Sequence, residues 1–234
     1  HGWEHYEWRL KWDVTIRVGQ SRSVDRVAPD WDGKPTAKPI LVIPEQGLGD
    51  QILFAGMLSD LEAVAPGSTV CLEPRLIPLF ARSFEKLKFS SPYDIDSDQC
   101  IKDGIFSAQT HIGSLGKYFR ADAAGFSRVN TPYLKADPFK ASQLRQRLAK
   151  QGRILCGISW RSKNAEIGAD KSLSLNTLIP ILSAEGVDFV DLQYGDTSEE
   201  RQALSQTHGI HVHHLDDIDN KNEDRKSTRL NSSH

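Results

Sequence analysis

Apolar residues fall along this chain in short runs that alternate with helical patterns. Residues 40–44, "ILVIP", form an unbroken apolar run of strand length. A helical pattern follows over residues 51–64, with Ile52, Leu53, Phe54, Leu58 and Leu61 recurring at helical spacing. "STVCLE" then reads as a second strand, "RLIPLFARSF" as a short helix and "LKF" as a third strand. From Ser90 to Tyr133 the pattern is poor, and "THIGSLGKYFR" reads as a loop with a short helix. "TPYLKADP" is expected to be extended, because a residue before proline avoids helical backbone. "PFKASQLRQRLAKQG" has the chemistry of a helix: Asp137 as N-cap, Pro138 in the first turn, basic residues late and Gly152 beyond. A second series then begins: "RILCGISW" as strand, "LNTLIPILSAEG" as helix, "VDFVDLQYG" as strand, "TSEERQALSQTHG" as helix and "IHVHH" as strand. Strands alternating with helices predict an α/β protein with parallel sheets.

The two ends break this pattern. Trp3, Tyr6 and Trp8 stand among charges, as at a helix end whose aromatics pack on something outside the chain. Residues 13–38 are polar, with Pro29, Gly33 and Pro35, and read as a linker. "EDRKSTRLNSSH" has no apolar period, and it resembles the translation of a sequencing adaptor. With a first residue other than Met, the chain is expected to be a fragment whose native part runs to about residue 222.

Composition narrows the function classes. The 234 residues are 38% hydrophobic and 26% charged, with a net charge of -2. That balance gives no electrostatic reason to expect nucleic acid or an anionic membrane as partner. No apolar run approaches the ~20 residues of a membrane span. No leader is expected, because residues 1–13 carry charges throughout. Cys71, Cys100 and Cys156 are isolated in sequence, which suggests neither a zinc site nor a disulfide framework. A reduced, cytoplasmic setting is the default.

Candidate chemistry sits where strands run into helices. In "PEQGLGDQ", Gly47 and Gly49 let backbone approach a ligand and present N–H groups at a helix start. The spacing is neither a dinucleotide fingerprint nor a phosphate-binding P-loop. Glu45 and Asp50 would repel a phosphate and suit proton abstraction from a hydroxyl better. Equally, the glycines could only make the turn and Asp50 only cap the helix. "GISWRSKN" repeats the design at the second series, where Ser159, Arg161, Ser162, Lys163 and Asn164 suit a diphosphate, with Lys171 and Ser172 in the same loop. The alternative is a solvated, charged loop. "LQYGD" ends the next strand, where Gln193 is a candidate contact and Tyr194 either stacks on a base or packs. His208, His211, His213 and His214 lack a carboxylate pattern and are expected to be surface residues, not metal ligands.

"HYEWR", "APDWDGKP", "ILVIPEQGLGDQILFAGMLSDL", "PYLKADP", "GISWRSKN" and "LQYGD" occur in that order in one protein family. In them the chain resembles the glycosyltransferase-like region of bacterial tetratricopeptide-repeat proteins. That region is similar to the O-linked N-acetylglucosamine transferases and, more distantly, to the ADP-heptose heptosyltransferases. The resemblance covers residues 1 to about 222. It implies a GT-B fold of two Rossmann-like domains, the second truncated here. The divisions would be 1–38 as repeat end and linker, 39–136 as the acceptor-side domain, 137–222 as linking helix and partial nucleotide-sugar domain, and 223–234 as foreign tail. It implies Asp50 as the base that activates an acceptor hydroxyl. Glu45, Gln46, Gly47 and Gly49 would then be substrate contacts, and Ser159, Arg161, Ser162, Lys163, Asn164, Lys171, Gln193 and Tyr194 donor contacts. No cofactor or metal is implied; a nucleotide-sugar is the co-substrate and a protein or glycan the acceptor. One departure stands out: the Asp-Thr/Ser…His stretch of the relatives would lie after Asn222 and is absent.

The first functional reading is therefore a glycosyltransferase. A second is a non-catalytic interaction module, helical repeats joined to a degenerate GT-B domain. Asp50 with Arg161 and Lys163 favours the enzyme. A third, a sugar-phosphate epimerase, also uses paired Rossmann-like domains but leaves the aromatic start unexplained.

Overall fold

The computed structural model describes residues 2–11, 26–45, 47–127, 132–148, 152–162, 169–193 and 195–215. The contacts divide the chain into two units, residues 1–137 and 138–234.

The first unit is built on four parallel strands: β1 (Ile40–Ile43), β2 (Thr69–Cys71), β3 (Lys88–Ser90) and β4 (Ala108–His111). Their order is β3-β2-β1-β4, that of a Rossmann half. β1 is apolar throughout because both its faces are covered. Ile40 and Val42 join Phe54, Leu58, Leu61, Val70 and Phe80 on one face, while Leu41 and Ile43 join Cys71, Cys100, Val27 and Ala28 on the other.

The helical pattern after β1 is two helices, Leu48–Ala55 and Leu58–Val64, not one. The Tyr133 hydroxyl takes the Ile52 carbonyl that a continuing helix would offer to Gly56. The Gly56 carbonyl in turn accepts from Arg120 at 3.3 Å. β4 was not expected as a strand, because it has no apolar run. Its Gln109 is buried, and the side-chain oxygen accepts the Val27 and Ala28 amides at 2.7 and 3.1 Å. Its backbone pairs with Pro29 and Trp31, both at 2.8 Å. Residues 26–31, expected as part of a linker, thus line the outer edge of β4. The helix Ser97–Asp103 was also unforeseen; Asp96 caps it through the Gln99 amide, and Gly104 ends it at a φ of 57°.

The second unit holds three parallel strands in the order β5-β6-β7: β5 (Ile154–Ile158), β6 (Val187–Asp191) and β7 (Val212–His213). The helix Ser198–His208 buries Leu204 against Phe189, Val212, Leu175, Leu182 and Trp160. "LNTLIPILSAEG" forms a 3-10 turn, Leu175–Leu178, and a short helix, Ile179–Leu182. The expected helix Pro138–Leu148 is present, with no buried residue along it. Among the described residues no helix is long and apolar enough to cross a membrane. The tail at 223–234 lies outside the described residues.

Candidate functional site

In a doubly wound sheet, ligands bind beyond the C-terminal strand ends where the strand order reverses. In the first unit that place is the pair β1 and β4. It is filled from the N-terminal segment, a short helix Gly2–Tyr6 and a 3-10 turn Glu7–Lys11. Arg9 donates from Nε to Glu45 Oε1 at 2.7 Å and from Nη2 to Glu45 Oε2 at 2.8 Å. Oε2 also accepts the Gly113 amide at 3.0 Å, just past β4. Arg9 Nη2 reaches Ser114 Oγ at 2.9 Å, and that hydroxyl donates to Glu7 at 2.8 Å. Burial works against charge on both Glu7 and Arg9. It is outweighed by the Arg9 and Ser114 hydrogen bonds at Glu7, which lower its pKa, and by Glu45 at Arg9, which raises it.

Trp3 and Tyr6, expected to face something outside the chain, pack on the first unit's own core. The Trp3 indole donates to the Arg120 carbonyl at 2.8 Å. This seat requires glycines: a Cβ on Gly116 would stand 2.4 Å from the Trp3 ring, and one on Gly113 would stand 2.8 Å from Glu45 Oε2. Gly116→Ala should therefore lift the segment off. Trypsin cleavage after Arg9 should become roughly tenfold faster than in the wild type, since cleavage follows the population of the opened form. An unchanged cleavage rate would contradict this docking.

Asp50 lies in the first turn of the helix Leu48–Ala55, whose N-cap is Gly47. It is half-buried, and its Oδ2 accepts the Gly47 amide at 3.3 Å. Among the described residues, Oδ1 has no hydrogen-bond partner. Gly49 is exposed and Gly47 half-buried. Gln46 lies outside the described residues. Cys71, at the end of β2, is no nucleophile at neutral pH: burial pushes its thiol up to about 12.

In the second unit, Gln193 is fully buried between the ends of β5 and β6. Its Oε1 accepts Ser159 Oγ at 3.1 Å, the Trp160 amide at 2.8 Å and the Arg161 amide at 2.7 Å. Its Nε2 donates to the Arg161 carbonyl at 3.1 Å. Gln193 thus holds the loop from inside. Arg161 pairs with Glu200 at 3.0 Å and donates to the Asp196 carbonyl at 3.0 Å. The other oxygen of Glu200 accepts the Trp160 indole at 2.7 Å. Ser162 donates its amide to Ser172 at 3.0 Å, and Lys171 is exposed on the turn Ala169–Lys171. Lys163, Asn164 and Tyr194 lie outside the described residues.

A buried carboxylate nearby was missed. Asp191, with no exposed side-chain surface, ends β6 and accepts the Gln193 amide at 2.7 Å and the Thr197 hydroxyl. Arg201 stands 3.3 Å from it and His214 Nδ1 3.0 Å. His214 is therefore a half-buried partner of a carboxylate, not a surface histidine. The available signal was an acid at the end of an apolar strand, where burial demands partners. Among the described residues no group of three or more His, Cys, Asp and Glu side chains could hold a metal ion.

The chain is 28% identical to protein FlbA of Caulobacter vibrioides over 238 residues. The match takes in 94% of this chain and 38% of FlbA, so the chain spans well under half of that relative. No family model matches. Among solved structures the chain is similar to the bacterial iron-containing dodecameric glycosyltransferase TibC from enterotoxigenic E. coli, with a TM-score of 0.46 and 12% identity over 70% of this chain and 45% of that one.

Proposed function

We propose that this chain is part of a GT-B glycosyltransferase that moves a sugar from a nucleotide-sugar donor to a protein or glycan hydroxyl without a metal ion. The observation that carries this reading is Asp50. It is a half-buried carboxylate in the first turn of the helix that follows a parallel strand, with one oxygen anchored on Gly47 and the other without a partner among the described residues. That oxygen would take the proton of the acceptor hydroxyl while the hydroxyl oxygen bonds to the anomeric carbon. The bond from that carbon to the diphosphate breaks, and the nucleoside diphosphate leaves with the electron pair. On the donor side, Arg161, Lys163 and Lys171 would supply positive charge to the diphosphate, and Ser159, Ser162, Asn164 and Tyr194 would be further donor contacts. Gln193 acts by holding that loop.

The experiment is transfer from a panel of radiolabelled UDP-, GDP- and ADP-sugars to protein in a lysate, with EDTA present. Label transferred from one donor class supports the reading, and no transfer from any donor removes it. A specific observation favours the second reading, a non-catalytic interaction module: Glu45 and Arg161 are already engaged within the chain. On that reading partner capture persists while every donor fails.

A further inference from the structure

We propose that Arg9 is a positioning residue for Asp50: it fixes the turn after β1 from a segment 36 positions away in sequence. The inference rests on the reading of Asp50 as base.

Two contacts from one short segment converge on the same strand, turn and helix. The first is the Arg9 fork, which holds both oxygens of Glu45 at 2.7 and 2.8 Å. Glu45 directly follows Pro44 and lies two positions before Gly47, whose amide holds Asp50. The second is Tyr6, whose ring lies 6.0 Å from Phe54, one helical turn beyond Asp50. The Arg9 guanidinium stacks over that same Tyr6 ring at 4.0 Å, so the two contacts move as one body. Both partners of the fork are largely sheltered, with 15% of the Arg9 and 10% of the Glu45 side chain exposed. Every guanidinium nitrogen of Arg9 is engaged, by Glu45, Ser114, Glu7 and the Tyr6 carbonyl. A surface ion pair needs none of this. A planar, bidentate fork fixes orientation as well as distance, which a lysine cannot do.

The test is residue-resolved hydrogen exchange on Arg9→Lys and Glu45→Gln in the full chain. Arg9→Lys keeps the charge, and Glu45→Gln keeps the shape, so at least one variant should remain folded. The expected result is exchange at the Gly47 amide at least tenfold faster in both variants. Leu41 in β1 and Val70 in β2 should stay within twofold of wild type. In parallel, the 13C chemical shift of the Asp50 side-chain carboxyl, read at one fixed pH, should move in both variants. Unchanged Gly47 exchange and an unmoved Asp50 carboxyl resonance would overturn the proposal. So would a uniform rise in exchange across β1 and β2, which marks general support of the fold. Neither readout needs a sugar donor. Failure of the transfer panel therefore removes the enzyme reading alone, whereas failure here removes the role of Arg9 alone.

Discussion

Replacing Asp191 with alanine should unfold the second unit and leave the first intact. The Asp191 side chain has no exposed surface, and it is the shared acceptor for Arg201, His214, Thr197 and the Gln193 amide. Its removal takes this counter-charge from a guanidinium that is only 21% exposed, its Nε keeping the Thr197 hydroxyl at 3.0 Å, and leaves the Gln193 amide in the buried turn without its acceptor. Breaking a buried ion pair from one side costs about 3–5 kcal/mol. A small core rarely supplies more than about 3–5 kcal/mol in total. The second unit's core is small, gathered around Trp160, Leu175, Leu182, Phe189, Leu204 and Val212. The loss should therefore match or exceed its whole stability. Hydrogen exchange is the measurement: amides of β5, β6 and β7 should lose protection while those of β1 to β4 keep it. His214→Gln removes one donor and leaves the carboxylate its other partners, so it should cost only about 1 kcal/mol. Native protection of β6 in Asp191→Ala would show that the cluster is incidental.

What the sequence reveals and what it hides follow from the same physics. β1 is legible because a strand covered on both faces must be apolar, and residues 40–43 are. β4 is hidden because its buried Gln109 is satisfied by the backbone of residues 27–31, and a polar strand that finds partners leaves no apolar signature. The break at Gly56 is hidden because its cause is the Tyr133 hydroxyl on Ile52, a contact between residues 81 positions apart. The same limit applies to the candidate sites. Glu45 is visible as an acid at a strand end, but its partner Arg9 sits in a segment with no periodic link to it. Gln193 and Arg161 are visible as polar residues at strand ends. Local pattern cannot show that Gln193 faces inward, where three donors from the end of β5 need one acceptor. Strand ends on a parallel sheet attract both ligands and the contacts that close loops, and residue type alone does not separate the two.

Asp50→Asn should separate chemistry from folding at the first strand end. Asn keeps a side-chain oxygen that can accept the Gly47 amide, now held at 3.3 Å. It gives up only the favourable interaction of a negative charge with the first helical turn, about 0.3–1 kcal/mol for a partly exposed group. The melting temperature should accordingly stay within about 4 °C of wild type. Turnover should fall by ~10²–10⁴, the usual contribution of a general base. Donor affinity should be nearly unchanged, because the proposed donor contacts lie on the second unit. Lys171→Ala provides the complement: Lys171 is exposed on its turn, so its loss should weaken donor binding with little effect on stability. Isothermal titration with the donor that scores in the transfer panel, alongside single-turnover kinetics, distinguishes the two variants. If Asp50→Asn turns over like wild type, Asp50 is a helix-start acceptor and the acceptor hydroxyl is activated by another group. If it loses donor affinity in step with turnover, the division of acceptor and donor between the two units is wrong.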